Sequence, residues 1–258
     1  MVLSIVIPVY NERHTLSVVL AKVSAALPGV DKEVIVVDDC SKDGTRAWLQ
    51  SNFESGARGG CGIKIDEAGN LVFTDKVEGQ ALVTVRPIYH ERNRGKGGGI
   101  QTGLAAVTGD IVVIQDADLE YDVQDWTVMY DLIAHKKVAD VVYGSRFFGY
   151  PHRSLYYHHY IANRLISFIF NVLFDQSLSD IEVCYKMFTR AVNDSIKITC
   201  DDFGCEVQLS AQICKARRWR IYETAIHYYG RTYAEGKKIN WKDGVKAFWY
   251  LVKYRFVD

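Results

Sequence analysis

Asp116, Ala117 and Asp118 place two carboxylates two positions apart with only a methyl group between them, directly after the apolar run Ile111–Ile114 and Gln115. Oxygen donors so spaced suit a hard divalent cation, Mg²⁺ or Mn²⁺, which prefers phosphate oxygens as its remaining ligands. A solvated acidic turn leading into a helix near Asp122 would use the same residue types, because carboxylates favour helix starts. The preceding run reads as a strand buried on both faces. The pair therefore stands at the carboxyl end of a strand, where open α/β sheets bind ligands.

Four further clusters can serve a phosphate-bearing ligand. Asn93-Arg94-Gly95-Lys96-Gly97-Gly98-Gly99 opens a helix, so its backbone can approach a phosphate and Lys96 can add charge. Close packing of that helix would also call for the glycines. Arg146 follows the strand Asp140–Tyr143 and offers a phosphate fork or an ion pair. Asp180 and Glu182 lie in a loop, Ser179–Lys186, that can supply a base to the crevice, with helix capping or a pair to Lys186 as the structural alternatives. Tyr229–Lys238 is a basic, glycine-containing loop suited to a flap over a diphosphate, or to a solvated surface.

The elements that must hold these residues alternate. A strand over Val2–Val9 ends at Pro8-Val9-Tyr10, and Asn11 can cap a helix with apolar Leu16, Val19, Leu20, Val23 and Leu27, stopped by Pro28-Gly29. A second strand, Glu33–Val37, closes on Asp38-Asp39, and a helix follows through Trp48 and Leu49. This β-α-β-α order predicts an α/β fold with a mostly parallel sheet. Between Ser55 and Gly79 the texture changes, and Ile63–Ile65 and Leu71–Phe73 flanking a Gly-Asn turn predict a surface β-hairpin insertion. Strands are expected at Ala81–Val85 and Trp219–Ala225, and helices at Val123–Lys137 and Glu206–Arg217. The segment from His152 to Phe174 lacks glycine and proline and predicts helix; its second half, Leu165–Phe174, is apolar nearly all round. Burial in the core explains such a segment, and so does a dip into a membrane interface beside aromatic and basic anchors. His158 and His159, adjacent on a helix, point apart and suggest no metal site.

The 258 residues, 48% of them hydrophobic, suffice for a full core, and 31 basic side chains balance 31 acidic ones. No bulk field invites nucleic acid. Six scattered cysteines without a C-x-x-C pair disfavour zinc and a disulfide framework and predict reduced thiols in a cytoplasmic protein. No signal-peptide pattern is visible, and no window reaches the roughly 20 apolar residues of a spanning helix. There is no Walker loop and no G-x-G-x-x-G after the first strand, which argues against a dinucleotide enzyme.

In this order the motifs IVIPVYNE (5–12), VVDDCSKDGT (36–45), NRGKGGG (93–99), QDADLEY (115–121), GSRF (144–147) and SDIEVCYK (179–186) resemble the inverting family 2 glycosyltransferases with the GT-A fold. The closest branch is that of the polyprenyl-phosphate sugar synthases, such as the dolichyl-phosphate mannose and glucose synthases. The resemblance covers nearly the whole chain outside 55–79 and implies a single GT-A domain over 1–258. It implies that Pro8, Tyr10 and Glu12 line the nucleoside pocket, with Asp39 or Asp38 bonding base or ribose and Lys96 and Ala117 beside the nucleotide. It further implies that Asp116 and Asp118 hold Mg²⁺ or Mn²⁺ on the diphosphate of a UDP-linked donor, under a loop carrying Arg231 and Lys237. Arg146 and Arg153 match positions that hold an acceptor lipid phosphate. An ionised phosphate acceptor needs no strong base, whereas a hydroxyl acceptor makes Asp180 or Glu182 the expected one. One displacement at the anomeric carbon inverts it. The segment 153–174 and the helix 241–256 are then the membrane-surface or acceptor-side elements, with the chain peripheral to the membrane. A sugar nucleotidyltransferase shares such a sheet and metal pair, but the glycine-rich triphosphate loop it needs after the first strand is missing.

Overall fold

Branched side chains fit a pleated surface covered on both faces, so the Val/Ile runs become central strands. A computed structural model describes the chain except for residues 54–55, 149–152, 154–155, 233–240 and 258 and the side chains of 241–243 and 245. In its first half the elements are β1 (Val2–Val9), α1 (Leu16–Ala25), β2 (Asp31–Asp38), α2 (Thr45–Asn52), β3 (Arg58–Gly60), β4 (Ile63–Ile65), β5 (Leu71–Phe73), β6 (Val83–Tyr89), α3 (Gly95–Ala106) and β7 (Ile111–Ile114). Then follow α4 (Trp126–Tyr130), β8 (Val141–Ser145), α5 (Tyr157–Phe174), β9 (Lys186–Thr189), α6 (Arg190–Asp194), α7 (Cys205–Lys215), β10 (Ile221–Ala225) and α8 (Trp241–Phe256).

The main sheet has the order β10-β8-β9-β7-β1-β2-β6-β3. β1 lies parallel to both β2 and β7, with Val6 opposite Ile35 on one side and Ile114 on the other. Because the chain leaves β1 towards β2 on one flank and later returns to β7 on the other, the strand order reverses beside β1, and a crevice opens at the carboxyl ends. β9 runs antiparallel between β7 and β8, and β3 runs antiparallel to β6 at the edge. Ile5, Ile7, Val34, Val36, Val112 and Ile114 are completely buried.

Several local expectations shift. Asn11 caps no helix: it adopts a left-handed backbone (φ 55°), its side-chain oxygen accepts from Lys42 N at 2.8 Å, and α1 begins later, after Thr15. The third long strand runs on to Tyr89, carrying Pro87 within it. The helix expected over 123–137 breaks into a 3₁₀ turn (Val123–Asp125), the short α4 and a π turn (Asp131–His135).

The hairpin of β4 and β5 forms as expected, but it is fastened rather than loose. Ser24 Oγ accepts from Ile63 N at 2.8 Å, Asn52 Oδ1 accepts from Leu71 N at 2.9 Å, and Trp48 Nε1 donates to Gly69 O at 3.1 Å. Ser24 and Asn52 lie at the last turns of α1 and α2, whose first turns face the crevice, so the hairpin is anchored at the opposite end of the sheet.

Candidate active site

A cleft of about 450 Å³ opens at the carboxyl ends of β1, β2 and β7. Pro8, Tyr10 and Glu12 line it from the end of β1, Asp39 from the end of β2, Gly95 and Lys96 from the start of α3, and Asp116, Ala117, Asp118 and Glu120 from the end of β7. Arg146, Glu182, Tyr228 and Arg231 complete the far wall. The sheet and its loops thus bring together residues as far apart in sequence as Pro8 and Arg231.

The carboxylate pair is fixed from several sides. Thr15 Oγ1 donates to Ala117 O at 2.8 Å, tying the loop to the start of α1, and Tyr185 Oη donates to Gln115 Oε1 at 2.6 Å beneath it. Asp116 faces Lys96 at 2.9 Å. Asp118 accepts from Arg231 Nη2 at 2.7 Å, and the same guanidinium donates to Glu120 Oε1 at 3.0 Å. Glu120 also accepts from Arg231 N and from Tyr228 Oη, so it clamps the Arg231 segment over the pair.

Burial, followed by the charges of Asp116 and Glu120, pushes the Asp118 carboxyl up to about 7 despite Arg231. Six carboxylates line the cleft (Glu12, Asp39, Asp116, Asp118, Glu120, Glu182) against three cations (Lys96, Arg146, Arg231). This negative excess in a buried place is the condition under which a bound divalent cation is stabilising. Among the described residues no three carboxylate, imidazole or thiol groups form a ligand cage. The donor set therefore fits a cation held by Asp116 and Asp118 that completes its shell with phosphate and water, as Mg²⁺ and Mn²⁺ do.

A chain of buried charge backs the first aspartate. Lys96 also approaches Glu206 at 3.2 Å, and Glu206 receives the ammonium of Lys186 at 2.5 Å, both of these last two residues being nearly inaccessible. Burial opposes the charge on Lys96, yet Asp116, with smaller contributions from Cys184 and Glu206, holds its pKa well above the lysine range. Nothing in the sequence singled out Glu206 beyond its place at a helix start; the pairing with Lys96 spans 110 positions.

The structure separates residues that stand together in the sequence. Asp39 lines the cleft, but its carboxylate already accepts from Arg94 N and Gly95 N, both at 2.7 Å, and shares a hydrogen bond with His90 Nδ1 at 2.7 Å. It caps the entry to α3. Asp38 is fully buried on Arg46, at 2.6 Å, and does not reach the cleft. Asp180 is likewise outside the cleft lining: its two oxygens take Arg146 Nε and Nη2 at 2.7 Å each, and its side chain is completely buried. As a base it is spent on Arg146. Glu182 does line the cleft, with Oε1 buried and unpartnered, and burial followed by the charge of Glu206 pushes its carboxyl up to about 7.

Arg146 stands at the end of β8 as expected, its guanidinium 5.4 Å from the Tyr228 ring, but its fork is occupied by Asp180 rather than open. Arg153 is exposed, and its Nη1 donates to Gly230 O at 3.2 Å, next to Arg231. Lys237 and most of the loop expected over the diphosphate lie outside the described residues. Gly95 lines the cleft with φ +79°, yet a Cβ there would stand 2.5 Å from Asp201 O, and one on Gly97 2.0 Å from Cys200 O. Both glycines of the run are thus required by close packing against residues 200–201.

Comparison with known proteins finds a matching family and similar solved structures. The model of the family described as glycosyl transferase family 2 matches residues 4–67 and 79–197, leaving out a stretch that contains β5 of the hairpin. A dolichol-phosphate mannosyltransferase of Pyrococcus furiosus is 26% identical over 147 residues, which is 57% of this chain and 34% of that protein. The chain thus matches about a third of that relative's length. Among solved structures, the glucosyl-3-phosphoglycerate synthase of Mycobacterium tuberculosis with Mn²⁺, uridine diphosphate and phosphoglyceric acid is similar over 99% of this chain and 79% of that one, at 17% identity and TM-score 0.66. The same enzyme with Mg²⁺ and uridine diphosphate superposes with TM-score 0.64 over 99% of this chain and 80% of that one, at 17% identity. At such identity the likeness concerns the fold alone.

Proposed function

This chain belongs to glycosyl transferase family 2 and has the GT-A fold, and from that premise we propose that it moves a sugar from a UDP-linked donor to a polyprenyl-phosphate acceptor, aided by Mg²⁺ or Mn²⁺. Residues 1–258 act as one catalytic unit in this reading. The observation that carries it is the half-buried carboxylate pair, Asp116 and Asp118, set in one cleft with Lys96 and Arg231.

Pro8, Tyr10 and Glu12 border the nucleoside side of the cleft, with Asp39 shaping its floor. Asp116 and Asp118 hold the cation, which when bound neutralises the diphosphate and stabilises it as leaving group. Arg231, on the wall of the same cleft, and Lys237 would donate to the diphosphate oxygens. The acceptor phosphate approaches from the Arg146 and Arg153 side. One of its oxygens bonds to the anomeric carbon as the bond from that carbon to the diphosphate oxygen breaks, inverting the centre. Being ionised already, that nucleophile gives up no proton.

A second reading is favoured by Glu182. A cleft carboxyl with a pKa near 7 suits a general base, and a soluble hydroxyl acceptor would need one. The similarity to a dolichol-phosphate mannosyltransferase supports the lipid acceptor, and the folded likeness to a phosphoglycerate-using synthase keeps the hydroxyl one in play.

The test is incubation with UDP- and GDP-sugars and Mn²⁺, with polyprenyl phosphate in one arm and phosphoglycerate in the other. Transfer to the lipid phosphate from a UDP-sugar is expected. Transfer that needs no metal, or that survives Asp118→Ala, would overturn the assignment.

A further inference from the structure

Residues 200–204 form a turn ahead of α7 that is fastened from two sides. On one side Asp201 O accepts from Gly97 N at 2.8 Å and from Gly98 N at 3.3 Å, in the first turn of α3. On the other, Asp202 Oδ2 accepts from Lys246 Nζ at 3.1 Å and from Tyr250 Oη at 3.0 Å, both on α8. Asp202 Oδ1 accepts from Gly204 N at 2.9 Å and closes the turn. The Tyr250 ring lies against it so closely that a Cβ on Gly204 would stand 2.3 Å from Cδ2 and Cε2. A backbone held this fully aims the side chain it carries. That side chain is Phe203, and it lines the cleft.

The other aromatic groups on that wall are occupied. Tyr121 packs on Tyr185 and Tyr228, ring centroids 4.7 and 5.4 Å apart, and Tyr228 also faces the Arg146 guanidinium. Phe203, half-buried, meets no ring or cation among the described residues. Its place follows from its neighbours. Glu206 N donates to Phe203 O at 3.3 Å, Glu206 reaches Lys96, and Lys96 faces Asp116. Phe203 therefore stands on the Lys96 side of the carboxylate pair, whereas Tyr228 and Arg231 stand on the Glu120 and Asp118 side. With the nucleoside assigned to Pro8, Tyr10 and Glu12 and the acceptor to Arg146 and Arg153, the group left for Phe203 is the sugar between them.

We propose that the Phe203 ring is the wall against which the transferred sugar packs, and that Tyr250 and Lys246 of α8 are the positioning residues that keep it there. A pyranose presents a face of C–H groups, whose slightly positive hydrogens favour the negative face of an aromatic ring. Such an apolar wall supplies affinity while the few polar groups of a pocket fix orientation. The inference deepens the nucleotide-sugar reading and rests on it. It makes the last long helix of the chain a part of the donor site, though no side chain of α8 lines the cleft.

Calorimetry on the whole chain with Mn²⁺ tests it, titrating UDP and, separately, UDP-glucose, UDP-galactose and UDP-N-acetylglucosamine, the tightest of the three being carried forward. F203A should raise the dissociation constant of that UDP-sugar at least fivefold and that of UDP less than twofold, and F203Y should restore it. G204A, which drives a methyl group into the Tyr250 ring, should show the same sugar-selective loss. Adding Y250A, which vacates that space, should relieve it. Should G204A fail to fold, Y250F keeps the ring, loses the bond to Asp202, and should cost the UDP-sugar at least twofold while sparing UDP. UDP-sugar affinity unchanged in F203A, or lost in equal measure with UDP, would overturn the sugar wall. Affinity unchanged in both G204A and Y250F would overturn the role of α8. A wild-type chain that binds UDP but none of the three sugars would overturn the donor assignment and the wall with it, an outcome distinct from a wild-type sugar affinity that F203A leaves intact.

Discussion

Arg231 Nη2 lies 2.7 Å from Asp118 Oδ2 across 113 positions of sequence, occupying with its own positive charge the side of the carboxylate pair that a cation would neutralise. The contact exists because Glu120 holds the Arg231 backbone and side chain at once. A guanidinium so placed offsets the mutual repulsion of the Asp118 and Glu120 carboxylates, which it bridges.

Replacement of Arg231 by Ala is expected to slow transfer by about 10²- to 10³-fold, the effect of deleting one preorganised donor to a leaving oxyanion. Steady-state kinetics with the donor sugar check it, and Arg231→Lys should recover part of the rate.

Asp118→Asn removes one cation-holding carboxylate and leaves Arg231 without its nearest partner. Mn²⁺ binding, followed by electron paramagnetic resonance of the free ion, should fall at least tenfold, and transfer by about 10²-fold or more, corresponding to several kcal/mol of lost charge stabilisation. Retained Mn²⁺ affinity would place the ion elsewhere.

Glu182 separates the two acceptor classes. With a lipid phosphate, Glu182→Gln should change the rate by only a few-fold; with a hydroxyl acceptor it should cost about 10²- to 10⁴-fold and abolish a limb of the pH profile that rises through about 7. Stability gives an independent check. The folded carboxyl keeps its proton up to about 7, whereas the unfolded one loses it near 4.5. The folded state thus binds more protons between those values, so this group makes stability fall as pH rises from 4.5 to about 7 and level off above. Urea unfolding at pH 5 and pH 8 should show a smaller drop for the Gln variant.

The pair of Asp180 with Arg146 is a stability element in a place that resembles a catalytic one. Asp180→Ala leaves a largely buried guanidinium uncompensated and is expected to destabilise the fold by about 3–5 kcal/mol, measurable by denaturant titration. Loss of activity at a temperature where the variant remains folded would instead show that the pair also sets the Arg146 geometry.

Strand periodicity and the position of polar residues at strand ends determined much of this protein before any coordinates. Val2–Val9, the hairpin around Gly69-Asn70, the helix ending at Phe174, and the gathering of Pro8, Asp39, Lys96 and Asp116 at one edge all follow from local patterns, because a buried parallel strand can expose polar groups only where it ends. Tertiary structure alone decided which member of each neighbouring pair does what. Asp38 and Asp39 point to opposite sides of a strand end, one to Arg46 and one to the cleft. Asp180 is turned onto Arg146 outside the cleft lining, whereas Glu182 lines the cleft with one oxygen unpartnered. Gly95 and Gly97 read as a phosphate loop until Asp201 and Cys200 are seen pressed against them. Partnerships such as Lys96 with Glu206 and Arg231 with Asp118 depend on the distance between groups far apart in the chain, and Coulomb energy, hydrogen-bond geometry and burial are functions of that distance, not of order along the backbone.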